Sequence, residues 1–278
     1  MRGFALTLSK TAALWLVLMI AQIAGGMLIY RDSPPFEDSG PFGGGQVLLL
    51  TNAVNAVILA ALSVSMRLRG AKLGLTLGVV FFALECGLSA IEVIVFGADL
   101  HMTPADVVNF VAFDLFHSVL AGAAIALLWR GEARKEAQEL TGLAWKVPAI
   151  VVLYIVCYSV AGYEIAWRSE AVRAHYVHLQ ENAGFGLLLT MLVVQCGRGL
   201  IWCGLALLLA RNTAASAWRT ALLTGLAFAL VMTLPLLAPN QSMPWPVRAA
   251  HFVEIVSSNV VFGIVAVLIL LGATRRTA

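Results

Sequence analysis

Charge is what this sequence has least of: 12% of its 278 residues are Asp, Glu, Lys or Arg, against 60% apolar. A water-soluble domain carries about 25% charged residues. So few charges cannot cover a surface that faces water, whereas they suffice for one that faces lipid. Cysteine is scarce as well. Cys86, Cys157, Cys196 and Cys203 all fall in apolar stretches and none makes a CxxC pair, so neither a disulfide framework nor a thiolate metal site is expected. There is no block of basic residues interleaved with aromatics, which removes the usual footprint of a nucleic-acid partner. A phosphate-binding Gly-rich loop is missing too, and no soluble domain is expected between the apolar runs, so this chain alone is not an ATP-driven pump.

What is present in quantity is long apolar sequence. Eight runs are long enough to cross a bilayer, near 11–30, 47–66, 73–97, 107–129, 147–167, 185–210, 218–238 and 247–272, given about 20 residues per crossing. The runs are continuous rather than alternating, which selects helices over barrel strands. The first is longer than a signal-peptide core and is read as a span. The expected fold is therefore all-α, a polytopic membrane helix bundle of eight spans in one membrane domain over 1–278.

Lysine and arginine set the orientation. Thirteen of them, Arg67, Arg69, Lys72, Arg130, Lys146, Arg211 and Arg219 among these, fall on one set of span ends, and four, Arg31, Arg168, Arg173 and Arg248, on the other. The bias puts both termini in the cytoplasm. Trp129, Trp145, Trp167, Trp218 and Trp245 fall at expected span ends, as an aromatic belt would. The segment 31–46, rich in Pro and Gly, is expected to be extended and mobile.

Spans 2, 4, 6 and 8 each carry a polar pair at i, i+3: Asn52/Asn55, Asp114/His117, Gln195/Arg198 and His251/Glu254. This pattern suggests parallel four-helix repeats, with halves 1–140 and 141–278. Glu85, Glu92, Asp114, Glu164, Arg198 and Glu254 lie inside spans, joined by His117 and His251. Ionisable groups in lipid are costly and normally face the bundle interior. Counted by helical rise, Glu164 and His251 lie about 5 Å from the outer face, Glu92 about 7 Å, Asp114 and Glu254 about 10 Å and His117 about 15 Å. Glu85 and Arg198 fall near the midplane, which pairs Arg198 with Glu85 or Glu254 as counter-ion. The candidate site is thus Glu85, Glu92, Asp114, His117, Gln195, Arg198, His251 and Glu254. Arg248, His251, Glu254 and Ser258 make one stripe on span 8, a cation, an imidazole and a carboxylate in order from the mouth inward.

The segments "VVQCGRGLIW" at Val193–Trp202, "LLAPNQSMP" at Leu236–Pro244 and "VRAAHFVEIVSSNVVFG" at Val247–Gly263 resemble a group of bacterial multi-pass membrane proteins of no known activity. So does "VCYSVAGYEIAW" at Val156–Trp167. The likeness runs over about 148–270. It implies an eight-span fold in a bacterial inner membrane and supplies no activity, substrate or cofactor.

Three functions remain open. An acidic cavity opening outward would suit binding or transport of a small cationic solute, an ion or a proton. Asp114, His117, His251 and Glu254 could instead ligate a metal, with Glu85 and Glu92 completing a two-metal carboxylate site, or His117 and His251 a haem, in a membrane redox enzyme. The third is an accessory subunit of a membrane complex. The lipid bilayer is the one partner the composition requires; cofactor and protein partners stay unknown.

Overall fold

A computed structural model describes residues 2–30, 40–96, 103–131, 138–177, 181, 184–239 and 243–272. Among the described residues eight helices are long and apolar enough to cross a membrane: Gly3–Ile29, Gly44–Ser65, Gly70–Ile94, Pro104–Leu128, Leu143–Ala166, Phe185–Asn212, Ala217–Leu237 and Trp245–Gly272. They are numbered spans 1 to 8. The chain is a multi-pass membrane protein of the expected all-α bundle type. The helices overrun the apolar runs at several ends. Span 1 starts well before residue 11 because the Thr7 and Thr11 hydroxyls donate back to Gly3 O and Thr7 O, at 3.0 and 2.9 Å, which satisfies them inside the helix. Span 4 starts at Pro104 because Thr103 and Asp106 cap each other's backbone N–H, at 3.3 and 2.8 Å, with proline in the first turn, where its missing N–H costs nothing. Of the 31–46 segment, residues 31–39 lie outside the described residues.

Small residues choose the neighbours. A Cβ on Gly122 of span 4 would lie 2.8 Å from Gly74 O of span 3, and one on Gly263 of span 8 would lie 2.7 Å from the Gly225 Cα of span 7. Backbones this close gain dispersion contacts that lipid cannot match. Span 4 therefore packs on spans 3 and 1, and span 8 on spans 7 and 5; span 2 lies on span 1 and span 6 on span 5. The two sets of four meet where span 2 packs on span 7 and span 3 on span 6.

One end of the bundle is tied by backbone bonds. Met66 and Thr213, just past spans 2 and 6, form an isolated antiparallel bridge. Its two bonds, Arg67 N to Asn212 O at 2.7 Å and Ala214 N to Ser65 O at 2.8 Å, mirror each other. Lys10 lies 5.6 Å from the Trp129 ring at the end of span 4. Lys146, fully buried, donates to Leu270 O at 2.8 Å in the last turn of span 8, where a cation complements the helix dipole. The opposite end carries the short helix Glu170–His175, which folds back on span 8.

Both long interruptions are π turns, Ala83–Gly87 in span 3 and Gly162–Ala166 in span 5. Each holds one residue more than an α turn and shifts the faces beyond it, a feature frequent at functional sites.

Candidate functional site

Spans 3, 5, 6, 7 and 8 line a cavity of about 400 Å³ at the end that carries Glu170–His175. Its charged wall is Glu92, Arg198, His251 and Glu254, and its aromatic wall is Tyr154, Tyr158, Trp167 and Tyr176. Arg198 is 3% exposed and forms an ion pair with Glu92 of span 3. Its guanidinium lies 6.0 Å from the Tyr154 ring centre and 5.8 Å from that of Tyr158, so the positive charge is also spread against two π faces. Gln195, one turn before, accepts from Tyr154 Oη at 3.0 Å and from Arg198 at 3.4 Å. Span 5 can come this close because Gly199 faces it; a Cβ there would stand 3.1 Å from Tyr154.

Across the cavity, His251 Nδ1 and Glu254 Oε2 are 2.7 Å apart. His251 Nε2 is buried without a hydrogen-bond partner among the described residues. Gly162 of the span-5 π turn lies against Glu254, where a Cβ would meet Oε1 at 3.4 Å. After that turn the chain reverses, held by Arg173 donating to Trp167 O and Arg168 O at 2.8 and 2.9 Å. The reversal sets Tyr176 edge-on to His251, with ring centres 5.8 Å apart. Burial, with Glu254's negative charge adding to it, pushes the Tyr176 phenol up to about 12, so it remains a neutral hydroxyl at physiological pH.

The eight candidate residues divide into two groups. Glu92, Gln195, Arg198, His251 and Glu254 gather at the cavity. Glu85, Asp114 and His117 form a separate buried group between spans 2, 3 and 4. There, Glu85 Oε2 is 3.0 Å from His117 Nδ1, and Asn55 donates to Glu85 Oε1 at 3.3 Å. The Cys86 thiol lies beside Asp114.

This division corrects several expectations. Arg198 takes Glu92 as its ion-pair partner, with Glu254 acting on it across the cavity without an ion pair and Glu85 held elsewhere by His117, because helical rise gives depth and not which spans adjoin. Asp114 and His117 do not face His251 and Glu254, since span 4 packs on spans 1 and 3 while span 8 packs on spans 5, 6 and 7. Among the described residues no three His, Cys, Asp or Glu side chains converge as metal ligands. The proposed four-residue metal set is therefore not assembled, and the two histidines that would hold a haem belong to different groups. Arg248 is no part of the mouth. It is fully buried and donates to Met243 O at 3.0 Å, Leu236 O at 3.4 Å and Ala238 O, where it satisfies carbonyls at the end of span 7 and just ahead of span 8. Glu164 is half exposed and pairs with Arg168. Asn52 ties span 2 to Gln22 of span 1.

Sequence reasoning missed the aromatic wall. Tyr154 and Tyr158 stand at i, i+4, a spacing that puts both on one helix face, and this was the available signal. Nothing local pointed to Tyr176, which a chain reversal brings in. No protein-family model, no curated protein and no solved structure matches this chain.

Proposed function

We propose that the cavity binds a small organic cation and that the protein carries such solutes across a bacterial inner membrane, with both termini cytoplasmic and the cavity facing outward. One observation carries this reading. Arg198 is ion-paired with Glu92, while Glu254 faces the same guanidinium across the cavity and is hydrogen-bonded to His251. Against one guanidinium, Arg198, the wall sets two carboxylates, Glu92 and Glu254, one in excess. Around it stand Tyr158, Trp167 and Tyr176, π faces of the kind that hold quaternary or protonated amines. A volume of about 400 Å³ falls in the usual range for small-molecule sites, about 300–1,000 Å³. Orientation is supported by the distribution of basic residues: Arg67, Arg69, Lys72, Arg130, Lys146, Arg211 and Arg219 lie at the end away from the cavity, and the positive-inside rule makes that end cytoplasmic. A two-fold repeat of spans 1–4 and 5–8 belongs to the same reading. It is supported by the recurring neighbour relations, the mirrored bonds at Met66 and Thr213 and the matched lysines, Lys10 and Lys146.

Calorimetric titration of the purified protein with tetramethylammonium and benzyltrimethylammonium tests the reading. Saturable binding that weakens at least tenfold in Glu254→Gln is expected. Equal or tighter binding of the matched sulfonate anions would reject it.

A further inference from the structure

The Glu85–Asp114–His117 group takes no part in the cavity, yet it concentrates two carboxylates and an imidazole in the bundle interior. We propose that it is a proton-binding site, and that its occupancy is transmitted to the cavity along span 3.

Burial comes first. Glu85, Asp114 and His117 are 9%, 6% and 1% exposed, so water does not share their charge. Among the described residues, the groups that face them supply no fixed cation. Span 1 brings Tyr30, span 2 brings Asn55 and span 3 adds Cys86. Span 7 packs on the π turn, and its one charged residue, Arg219, stands in its first turn. Among these described groups, protons are what can balance the charge. The Glu85–His117 contact is neutral as a unit whichever of the two holds the shared proton, so an uncharged Asp114 brings the group to zero. Loss of the Asp114 proton to water leaves one net negative charge in a medium that opposes it. Asp114 is therefore the releasable position and the Glu85–His117 contact, at 3.0 Å, the fixed one.

The unfinished hydrogen bonding points to a ligand that comes and goes. Asp114 Oδ2, His117 Nε2 and Asn55 Oδ1 are buried without partners among the described residues. A site that served only to glue helices would close these bonds. A proton supplies the missing donor at Asp114 Oδ2.

The link to the cavity is covalent. Glu85 lies in the π turn Ala83–Gly87, and Glu92, about two turns further along the same span, holds Arg198 on the cavity wall. A π turn can tighten to α by passing its extra residue along the helix, which rotates the turns beyond it. Losing the Asp114 proton sets a second carboxylate charge beside Glu85, strains its hold on His117 and favours that rotation at Glu92.

Infrared difference spectroscopy of the full chain in nanodiscs tests this without any ligand, so its outcome is separate from that of the cation titration. The expected result is a protonated-carboxyl C=O band at neutral pH. It disappears in Asp114→Asn and shifts in Cys86→Ala, which keeps both acids should the first variant fold poorly. It also shifts in Glu92→Gln at the cavity end of span 3 and stays unmoved in Glu254→Gln on span 8. Absence of the band at neutral pH, or its persistence unchanged in Asp114→Asn and Cys86→Ala, would overturn the proton site. A band removed by sodium at fixed pH would make it a sodium site instead. A band indifferent to Glu92→Gln would overturn the transmission along span 3.

Discussion

Arg198 on span 6 pairs with Glu92 on span 3 while its guanidinium lies 6.0 and 5.8 Å from the ring centres of Tyr154 and Tyr158 on span 5. Three helices thus converge on one buried charge, and both sets of four spans contribute to it. The pair is unevenly covered: the arginine side chain is 4% exposed and the glutamate 30%.

That unevenness predicts an unequal response to mutation. Glu92→Gln strands a buried guanidinium and should cost about 3–5 kcal/mol, the usual penalty for breaking a buried pair. Arg198→Leu leaves a carboxylate that water reaches, so it should cost less, and the double variant should recover part of the loss. Thermal unfolding of the four proteins in detergent measures the cycle; strictly additive losses would deny the pairing.

Glycine positions separate packing from tolerance. Gly263→Ala drives a methyl onto the Gly225 backbone, 2.7 Å away, and should destabilise by about 1–3 kcal/mol. Gly197→Ala meets nothing within 4 Å and should stabilise by about 0.5–1 kcal/mol through helix propensity. Melting temperatures that move the same way in both variants would count against the close contact of spans 7 and 8.

Tyr176 gives a pH signature. Its phenol sits at about 12 against an ordinary 10.0, with burial the larger cause and Glu254 the smaller. Because the unfolded chain releases that proton first, folding is stable below pH 10 in this respect and loses stability as pH rises toward 12. Glu254→Gln should lower the phenol only part of the way, since burial remains. Phenolate absorbance, taken as the difference from Tyr176→Phe, reads it. Ionisation near the ordinary value would mean that the ring is open to water.

Orientation can be read by labelling. In intact cells, a cysteine placed at Ser169 should react with a membrane-impermeant maleimide, whereas one at Ser216 should react only after permeabilisation. The reverse pattern would invert the topology and turn the cavity inward.

The sequence by itself determined the spans and the inventory of polar residues within them. A helix that must close its own backbone bonds in lipid needs only its own apolar length. The eight runs from residue 11 to residue 272 could therefore be read one at a time. The same local logic put Glu85 and Glu92 on one helix and Gln195 one turn from Arg198. Only the tertiary structure decided which of these groups meet. Helical rise assigns a depth to Arg198 but no neighbour, and it offered Glu85 and Glu254 rather than Glu92, the partner the fold supplies. The choice fell to backbone contacts remote from the charges, Gly122 on Gly74 and Gly263 on Gly225, because in lipid close packing rather than apolar burial selects partner helices. The two π turns then set the faces beyond them, and a loop reversal brought Tyr176 to His251. None of these is written in the spacing of the residues they move, which is why a single expected acidic cavity became a cavity and a separate buried group.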